Sequence, residues 1–454
     1  MLPKRKKLKQ NTRNMRKLNI ALLCICLGVQ LATSQTLETL TKETAISEVL
    51  ESNFGVVIAK NNVSIAENNK GILNSGFLPS LTGNAGANYS VEDQEVTLRD
   101  GTVNAVDGAE TERYNASLNL NYTLFDGLGR WYNYKRLKEE YQLSELQARQ
   151  TIETTLLQLF SVYYEVARLS ENVTVLKQTY NNTQDRLRRA NYAFEYGQVN
   201  KLEVLNAEVD MVTDSINLMN GRQQLRNAKR DLTVVLNSDL EREFEVDTTV
   251  TFLGQLQLEE FTKAADTNNV RLLQAERNTT ISDYQYKANK SVYLPSLGLT
   301  GSYGWNEGFF PTTSFATSNT TTGFSAGISL TWNLFDGGTG ITSVKNAKIQ
   351  RDTQELLYKQ ITTEVARDIA NAMGNYQNRL AIFELQEQNV VTAQNNYDRS
   401  QERYKLGQIT SVELRQAQIN LLNAQTNKNL AKYEAKLSEL ELLQLTGQLL
   451  NVSF

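Results

Sequence analysis

Residues Asn121 to Gly127 read NYTLFDG, and 210 positions later Thr331 to Gly337 read TWNLFDG. Other phrases recur around each copy in the same order. FLPSL at Phe77 to Leu81 returns as YLPSL at Tyr293 to Leu297, and YGQVNKLEV at Tyr196 to Val204 returns as LGQITSVEL at Leu406 to Leu414. The spacing is kept too: 71 positions separate Asp126 from Gly197, and 71 separate Asp336 from Gly407. Shared motif, order and spacing indicate an internal tandem duplication with repeats at 35–243 and 244–454. Each repeat reads helix, LPS, hairpin, FDG, long helix, G-Q turn, helix.

The segments between LPS and FDG alternate with a period of two. Leu81, Gly83, Ala85, Ala87, Tyr89 and Val91 stand against Thr82, Asn84, Gly86, Asn88 and Ser90, which predicts a strand with one apolar and one polar face. The return run does the same from Tyr114 to Leu124, and the second repeat matches it with Leu297 to Trp305 and Phe324 to Leu334. Hairpins are expected at 81–125 and 297–335, with four strands of about ten to twelve residues. A sheet on a soluble core would alternate in the same way. Two features favour lipid instead: the polar face is almost entirely Asn, Ser, Thr and Gly, and the length suits the roughly 9 to 11 residues of a tilted membrane strand. Tyr89, Tyr114, Trp305 and Phe324 near the loops, and Tyr122 and Trp332 near the FDG turns, resemble interfacial girdles. The acidic stretch 92–113 and the Thr/Ser/Asn-rich stretch 306–323 are read as loops on the outer surface.

Four strands cannot close in lipid, because an open edge leaves backbone donors and acceptors without partners. Two copies would make an eight-stranded barrel filled by side chains, whereas three make twelve strands around a water-filled lumen. A homotrimer sharing one barrel is expected.

Long helical hairpins are predicted at 127–240 and 338–448. Between Gly127 and Tyr196 there is no proline, and about 70 helical residues would reach roughly 105 Å. Val166, Leu169, Val173, Leu176, Tyr180, Leu187, Ala190 and Phe194 recur in steps of three and four, with Thr183 interrupting the stripe. Leu202, Leu205, Val209, Val212, Ile216 and Met219 continue the pattern on the returning helix, and both stripes are read as coiled-coil seams. Asp126 and Asp336 suit N-caps, and Gly197 and Gly407 suit the tight reversals at the far tips.

Residues 1–34 have the form of an export signal. Eight Lys or Arg and no acid lie between positions 4 and 17, Ile20 to Leu31 is apolar, and Ala32-Thr33-Ser34 is small. Twelve apolar residues fall short of the roughly 20 that a membrane anchor needs; Met15 offers a second start. Both cysteines, Cys24 and Cys26, fall within this leader, behind Leu23 and Ile25, which are too bulky for lipid attachment. The exported chain would then hold 39 bases against 50 acids, a formal charge of −11, which disfavours nucleic acid as a partner. With no histidine and no exported thiol, His-based triads, thiol nucleophiles and the usual zinc sites are excluded. No carboxylate pair stands out, so neither enzyme activity nor a cofactor or metal is expected. A passive exit duct is favoured over a structural coiled coil spanning the periplasm.

The duplicated LPSL, LFDG and tip-glycine motifs, at Leu78 to Leu81, Leu294 to Leu297, Leu124 to Gly127, Leu334 to Gly337, Tyr196-Gly197 and Tyr404 to Gly407, resemble the outer membrane efflux proteins of the TolC type. The resemblance covers the whole expected exported chain. It implies a mainly α fold with a membrane β-barrel portion, a homotrimer with a twelve-stranded barrel, and a long periplasmic helical tunnel. It also implies docking to a periplasmic adaptor (membrane fusion) protein and an inner-membrane pump or ABC transporter, with outer membrane lipid around the barrel. In that family two acids one turn apart after the last tip glycine ring the periplasmic entrance. Glu413 matches the first and Gln416 replaces the second, while the first repeat offers Glu203 followed by Asn206. Glu203, Glu413, Gln416 and Tyr404 are the entrance candidates. Tyr196, Gly197, Gln198, Leu406, Gly407 and Gln408 are the adaptor-contact candidates at the tips.

Overall fold

The computed structural model describes residues 38–452; the expected leader at 1–34 lies outside them. A short strand β1 (Glu38–Leu40) leads into α1 (Lys42–Ser52) and α2 (Phe54–Asn69). The hairpin β2 (Ser80–Thr97) and β3 (Val103–Phe125) follows, then the long helix α3 (Gly129–Glu195) and its return α4 (Lys201–Leu236). A linker with β4 (Phe244–Val246), α5 (Gln255–Lys263) and α6 (Ala265–Asn268) opens the second half. That half runs through α7 (Val270–Asn289), β5 (Ser296–Phe309), β6 (Ser318–Thr331), α8 (Thr339–Lys405) and α9 (Ser411–Leu445). Both long helices have 67 residues, and their returns have 36 and 35.

The four long strands form one antiparallel sheet in the order β2-β3-β5-β6, so β2 and β6 are its edges. Leu118 lies opposite Gly83 on one side and Tyr303 on the other, so the alternating apolar residues share one face across the sheet. Among the described residues no layer covers the edge strands: all fourteen residues of β6 and nearly all of β2 are exposed, while β5 between β3 and β6 is mostly half-buried. The first hairpin is longer than expected. Strands of 18 and 23 residues absorb most of the acidic stretch read as a loop, and β5 and β6, with 14 each, absorb part of 306–323. The cause is local. Gly101 at φ +89° closes a tight turn in which the Leu98 N–H donates to the Thr102 carbonyl, and the Asp100 carboxylate accepts from the Thr102 N–H. A bulge at Glu92/Gln94 is stitched by Asp93, which accepts from the Gly108 N–H. Strand pairing therefore continues past the apolar segment, needing only backbone partners.

The N-cap positions are Leu128 and Gly338, two residues after the aspartates expected there, yet each aspartate still caps its helix from outside it. Asp126 Oδ2 accepts from the Arg130 N–H at 2.8 Å, and Asp336 Oδ2 from the Gly340 N–H at 2.7 Å. The two residues after each Asp are left-handed: Gly127 and Leu128 in one half, Gly337 and Gly338 in the other. This bends the chain from strand into helix while the carboxylate holds the second helical N–H.

The main core sits halfway down α3, where Leu159, Phe160, Tyr163 and Tyr164 are fully buried against α8, α9 and the end of α4. The linker straps this collar. Tyr163 donates to the Leu40 carbonyl at 2.8 Å and accepts from the Asp247 N–H at 3.0 Å. Buried Lys436 donates to the Thr251 carbonyl, and Glu439 accepts from the Leu253 N–H. Lys436 and Glu439 also pair with each other, which leaves neither charge uncompensated in the core.

The seam expected on α4 is not the one the chain uses. Leu202, Leu205, Val209, Val212, Ile216 and Met219 are 47 to 66% exposed. The face packed on α3 lies two positions over, at Val204, Ala207, Asp214, Leu218 and Gly221. Small residues let the helices approach closely: Gly221 sits against Leu176 and Val173, where a Cβ would lie 2.8 Å from the Leu176 side chain. The stripe of larger residues is left exposed among the described residues.

Gly447, at φ +70°, ends α9, and its carbonyl accepts from Arg149 at 2.9 Å. A Cβ there would lie 2.2 Å from the Asn268 carbonyl oxygen, a backbone atom that cannot swing away. Gly447→Ala should therefore lower stability by more than the ~1–2 kcal/mol of a left-handed alanine alone. Thermal melts of the purified protein check this, and a loss within that range would show that the collar relaxes around the new methyl group.

Candidate functional site

The far ends of the helical hairpins hold every residue that the sequence singles out. At both, the helix closes in the same way. The Gly197 N–H donates to the Phe194 carbonyl and the Gln198 N–H to the Ala193 carbonyl, and Gly407 and Gln408 repeat the pattern with Tyr404 and Arg403. Both glycines are left-handed, at φ +71° and +70°, with open space where a side chain would be. These are Schellman ends, which glycine permits without strain. They leave Tyr196 79% and Leu406 72% exposed at matching positions on the outermost turn.

The return helices start with caps. Asn200 Oδ1 accepts from the Glu203 N–H at 3.1 Å. In the second half a capping box forms: Thr410 Oγ1 accepts from the Glu413 N–H, and Glu413 Oε2 accepts from the Thr410 N–H at 2.8 Å. That backbone donor holds the Glu413 carboxyl below its ordinary value, aided by the Thr410 hydroxyl. The two glutamates thus recur at the third residue of a capped helix, a position where an acid is favoured by the helix itself. The pattern was readable as Asn200-x-x-Glu203 and Thr410-x-x-Glu413. Gln416 points its amide at Asn420 one turn on and is exposed. Tyr404 is set deeper, packed with Leu414 and Ala417, where burial, and secondly the Glu203 charge, push its phenol up.

Further in, an ionic network joins the first hairpin to the second. Arg415 of α9 grips Asp214 of α4 with two bonds of 2.7 and 2.8 Å and reaches Asp210 at 3.5 Å. Asp210 also pairs with Arg186 of α3, and Asp214 accepts from the Thr183 hydroxyl. Gln418 donates to the Thr179 carbonyl and to Thr183 Oγ1, both at 3.3 Å. Asp214 is 2% exposed and lies in the in-chain seam of α4 opposite Thr183, the residue that interrupts the stripe on α3. The sequence reading missed this cluster, although the break at Thr183 marks where it sits. A planar guanidinium gripping a buried carboxylate fixes the lateral position of α9 against α4 in a way that apolar contact does not.

Comparison with known proteins identifies the family and the fold. A sequence model of the family described as outer membrane efflux protein matches residues 45–238 and 262–448. Outer membrane efflux protein BepC of Brucella suis is 21% identical over 418 residues, covering 90% of this chain and 88% of the relative. Outer membrane protein TolC of Salmonella enteritidis is 23% identical over 395 residues, covering 83% and 75%. The crystal structure of the Campylobacter jejuni CmeC outer membrane channel has the same fold, with TM-score 0.73, 18% identity, and coverage of 90% of this chain and 86% of that one.

Replacing Arg415 by Leu strands the Asp214 carboxylate in the seam, which should cost about 3–5 kcal/mol locally. Hydrogen exchange should quicken between the network and the tips and stay slow at the collar. Adding Asp214→Leu should restore most of the protection. Unchanged exchange in Arg415→Leu would mean that the network does not hold the hairpins together.

Proposed function

Because the chain belongs to the outer membrane efflux protein family, and so resides in the outer membrane, we propose that three copies form a channel-tunnel. In this reading they provide the passive exit duct of a tripartite efflux or type I secretion system. The observation that carries it is a four-stranded sheet whose apolar face lies under no protein layer and whose two edges are unpaired among the described residues, joined directly to 67-residue helices. On β3, Tyr114 and Tyr122 stand eight residues apart, about 27 Å along a strand, which suits a tilted membrane band. Twelve strands close the edges and leave a lumen lined by the Asn, Ser, Thr and Gly face. The exposed stripe from Leu202 to Met219 has the spacing of a coiled-coil seam and would be covered by a neighbouring copy.

The two halves supply a template for that neighbour. A shift of 216 carries β5 onto β2, and a shift of 210 carries β6 onto β3, along the shared motifs. Leu118 pairs with Tyr303 inside the chain, so Ile328 of one copy would pair with Ala87 of the next. The turn glycines fit this closure as well. Gly127 is packed against Ser291 and Leu294, whereas Gly337 has nothing within 4 Å, leaving room for the corresponding Ser75 and Leu78 of the next copy. At the far end, the Tyr196-Gly197-Gln198 and Leu406-Gly407-Gln408 turns would meet a periplasmic adaptor, with an inner-membrane pump or ABC transporter behind it.

With Ala87→Cys and Ile328→Cys in one chain, mild oxidation should yield a covalent trimer on non-reducing gels. Absence of any cross-link in well-folded protein, or a ladder running past three, would sink the shared barrel. Conductance in planar bilayers separates the duct from a structural coiled coil without transport. Six carboxylates from Glu203 and Glu413 would sit near one constriction and favour cations. Changing both to Gln keeps the capping bond of Glu413 largely intact and should move the reversal potential in a salt gradient toward zero. An unmoved potential would leave Glu413 as a capping-box residue and Glu203 as an acid of a first helical turn alone.

A further inference from the structure

The chain holds more acids than bases, yet the four stretches that flank the helix-ward end of the sheet reverse this balance. Residues 68–79, 127–138, 284–295 and 337–351 contain ten Lys or Arg and no Asp or Glu. On α3, Trp131, Tyr134, Lys135 and Lys138 share one helical face, and Trp131 and Lys138 are exposed. Lys135 Nζ lies 5.2 Å from the Trp131 ring centre and 5.8 Å from that of Tyr284 on α7, and Lys138 Nζ lies 4.4 Å from that of Tyr134. Beside them, Lys290 just past α7 stands 4.3 Å over Tyr286, whose ring also meets Arg351 of α8 at 5.0 Å. Several bases here have carboxylate partners, such as Arg136 with Glu140 and Lys287 with Asp283. Lys135, Lys138 and Lys290 are in no ion pair among the described residues.

We propose that this collar binds the anionic headgroups of phospholipid in the leaflet that meets the helices. The proposal rests on the membrane placement of the sheet. Helical side chains lean toward the helix N-terminus, and α3 and α8 both begin at the sheet, so their lysines lean back toward the apolar face. Lys138, nine residues into α3, stands only about 14 Å along the helix from its start. Aromatic rings seat themselves at the headgroup level, and a lysine over a ring presents its ammonium there with its stem covered. A phosphodiester completes the arrangement by supplying the negative charge the protein omits from these stretches.

The test uses the purified protein reconstituted into mixed phosphatidylcholine and phosphatidylglycerol vesicles, with the lipid retained on it read by native mass spectrometry. Phosphatidylglycerol should be enriched on the protein by at least about fivefold, and high salt should abolish the enrichment in the unaltered protein. The combined change Lys135→Gln, Lys138→Gln and Lys290→Gln should remove it, and the three arginine versions should keep it. Equal retention of the two lipids, or enrichment indifferent to salt and to the glutamine changes, overturns the collar while leaving the barrel in place. Failure to insert into the mixed vesicles overturns both readings. Lysine-dependent binding to isolated peptidoglycan without lipid enrichment would assign the collar to that polymer instead.

Discussion

Backbone pairing at β2 and β6 is the constraint on which the rest of the structure depends. In water an open edge is satisfied by solvent; in hydrocarbon each orphaned N–H or carbonyl costs several kcal/mol. An apolar sheet of four strands is therefore an unfinished object. The proposed closure by three copies determines much else: the helices below must gather into one ring, and the helix faces left bare by a single chain become faces between chains. The contrast between α7 and α2 follows the same logic. Helix α7 packs against both α3 and α8, whereas α2 packs against α3 and, more lightly, its neighbour α1, and Phe54, Ile58 and Ile65 on it are exposed.

Within the chain, stability and position are handled by different chemistry. The core midway down α3 is held by Leu159, Phe160, Tyr163 and Tyr164 and by the strapped linker, a dense apolar cluster with its few charges paired. Nearer the tips the seams thin to small residues, and the Arg415–Asp214 grip takes over. Burial of a charge pair gains little net stability, but its geometry is specific. The distal helices are thus located more than they are stabilised.

Periodicity and turn chemistry made most of the fold legible. The existence of the strands, the FDG bends, the reach of the helices and the tip reversals all follow from local rules, although the strands run further than the alternation does. What escaped was non-local. On α4 two stripes run side by side; the eye takes Leu202 to Met219 because its residues are larger, yet Ala207 and Gly221 decide the close packing because they are small. The partners of Asp214 come from α3 and α9, and no spacing along α4 points to either. The acidic stretch after Tyr89 read as a loop because strands outside a membrane lose the alternation that announces them. Glu203 and Glu413 attract a functional reading by recurring, but Asn200 and Thr410 give the recurrence a local cause as well, so repetition alone does not separate a cap from a gate.

Equal lengths in the two halves fall where an insertion would do most damage. The helices α3 and α8 agree to the residue, while the hairpins above them differ, with strands of 18 and 23 residues in one half against 14 and 14 in the other. One residue gained in a long helix would rotate everything beyond it by about 100° and push the tip out by about 1.5 Å, turning the Arg186 and Thr183 face away from α4 and α9. One residue gained at the hairpin tip disturbs only solvent. The molecule therefore works as a ruler that is graduated at one end and blank at the other: its inward reach is held to a single residue, and its outer rim is free to drift.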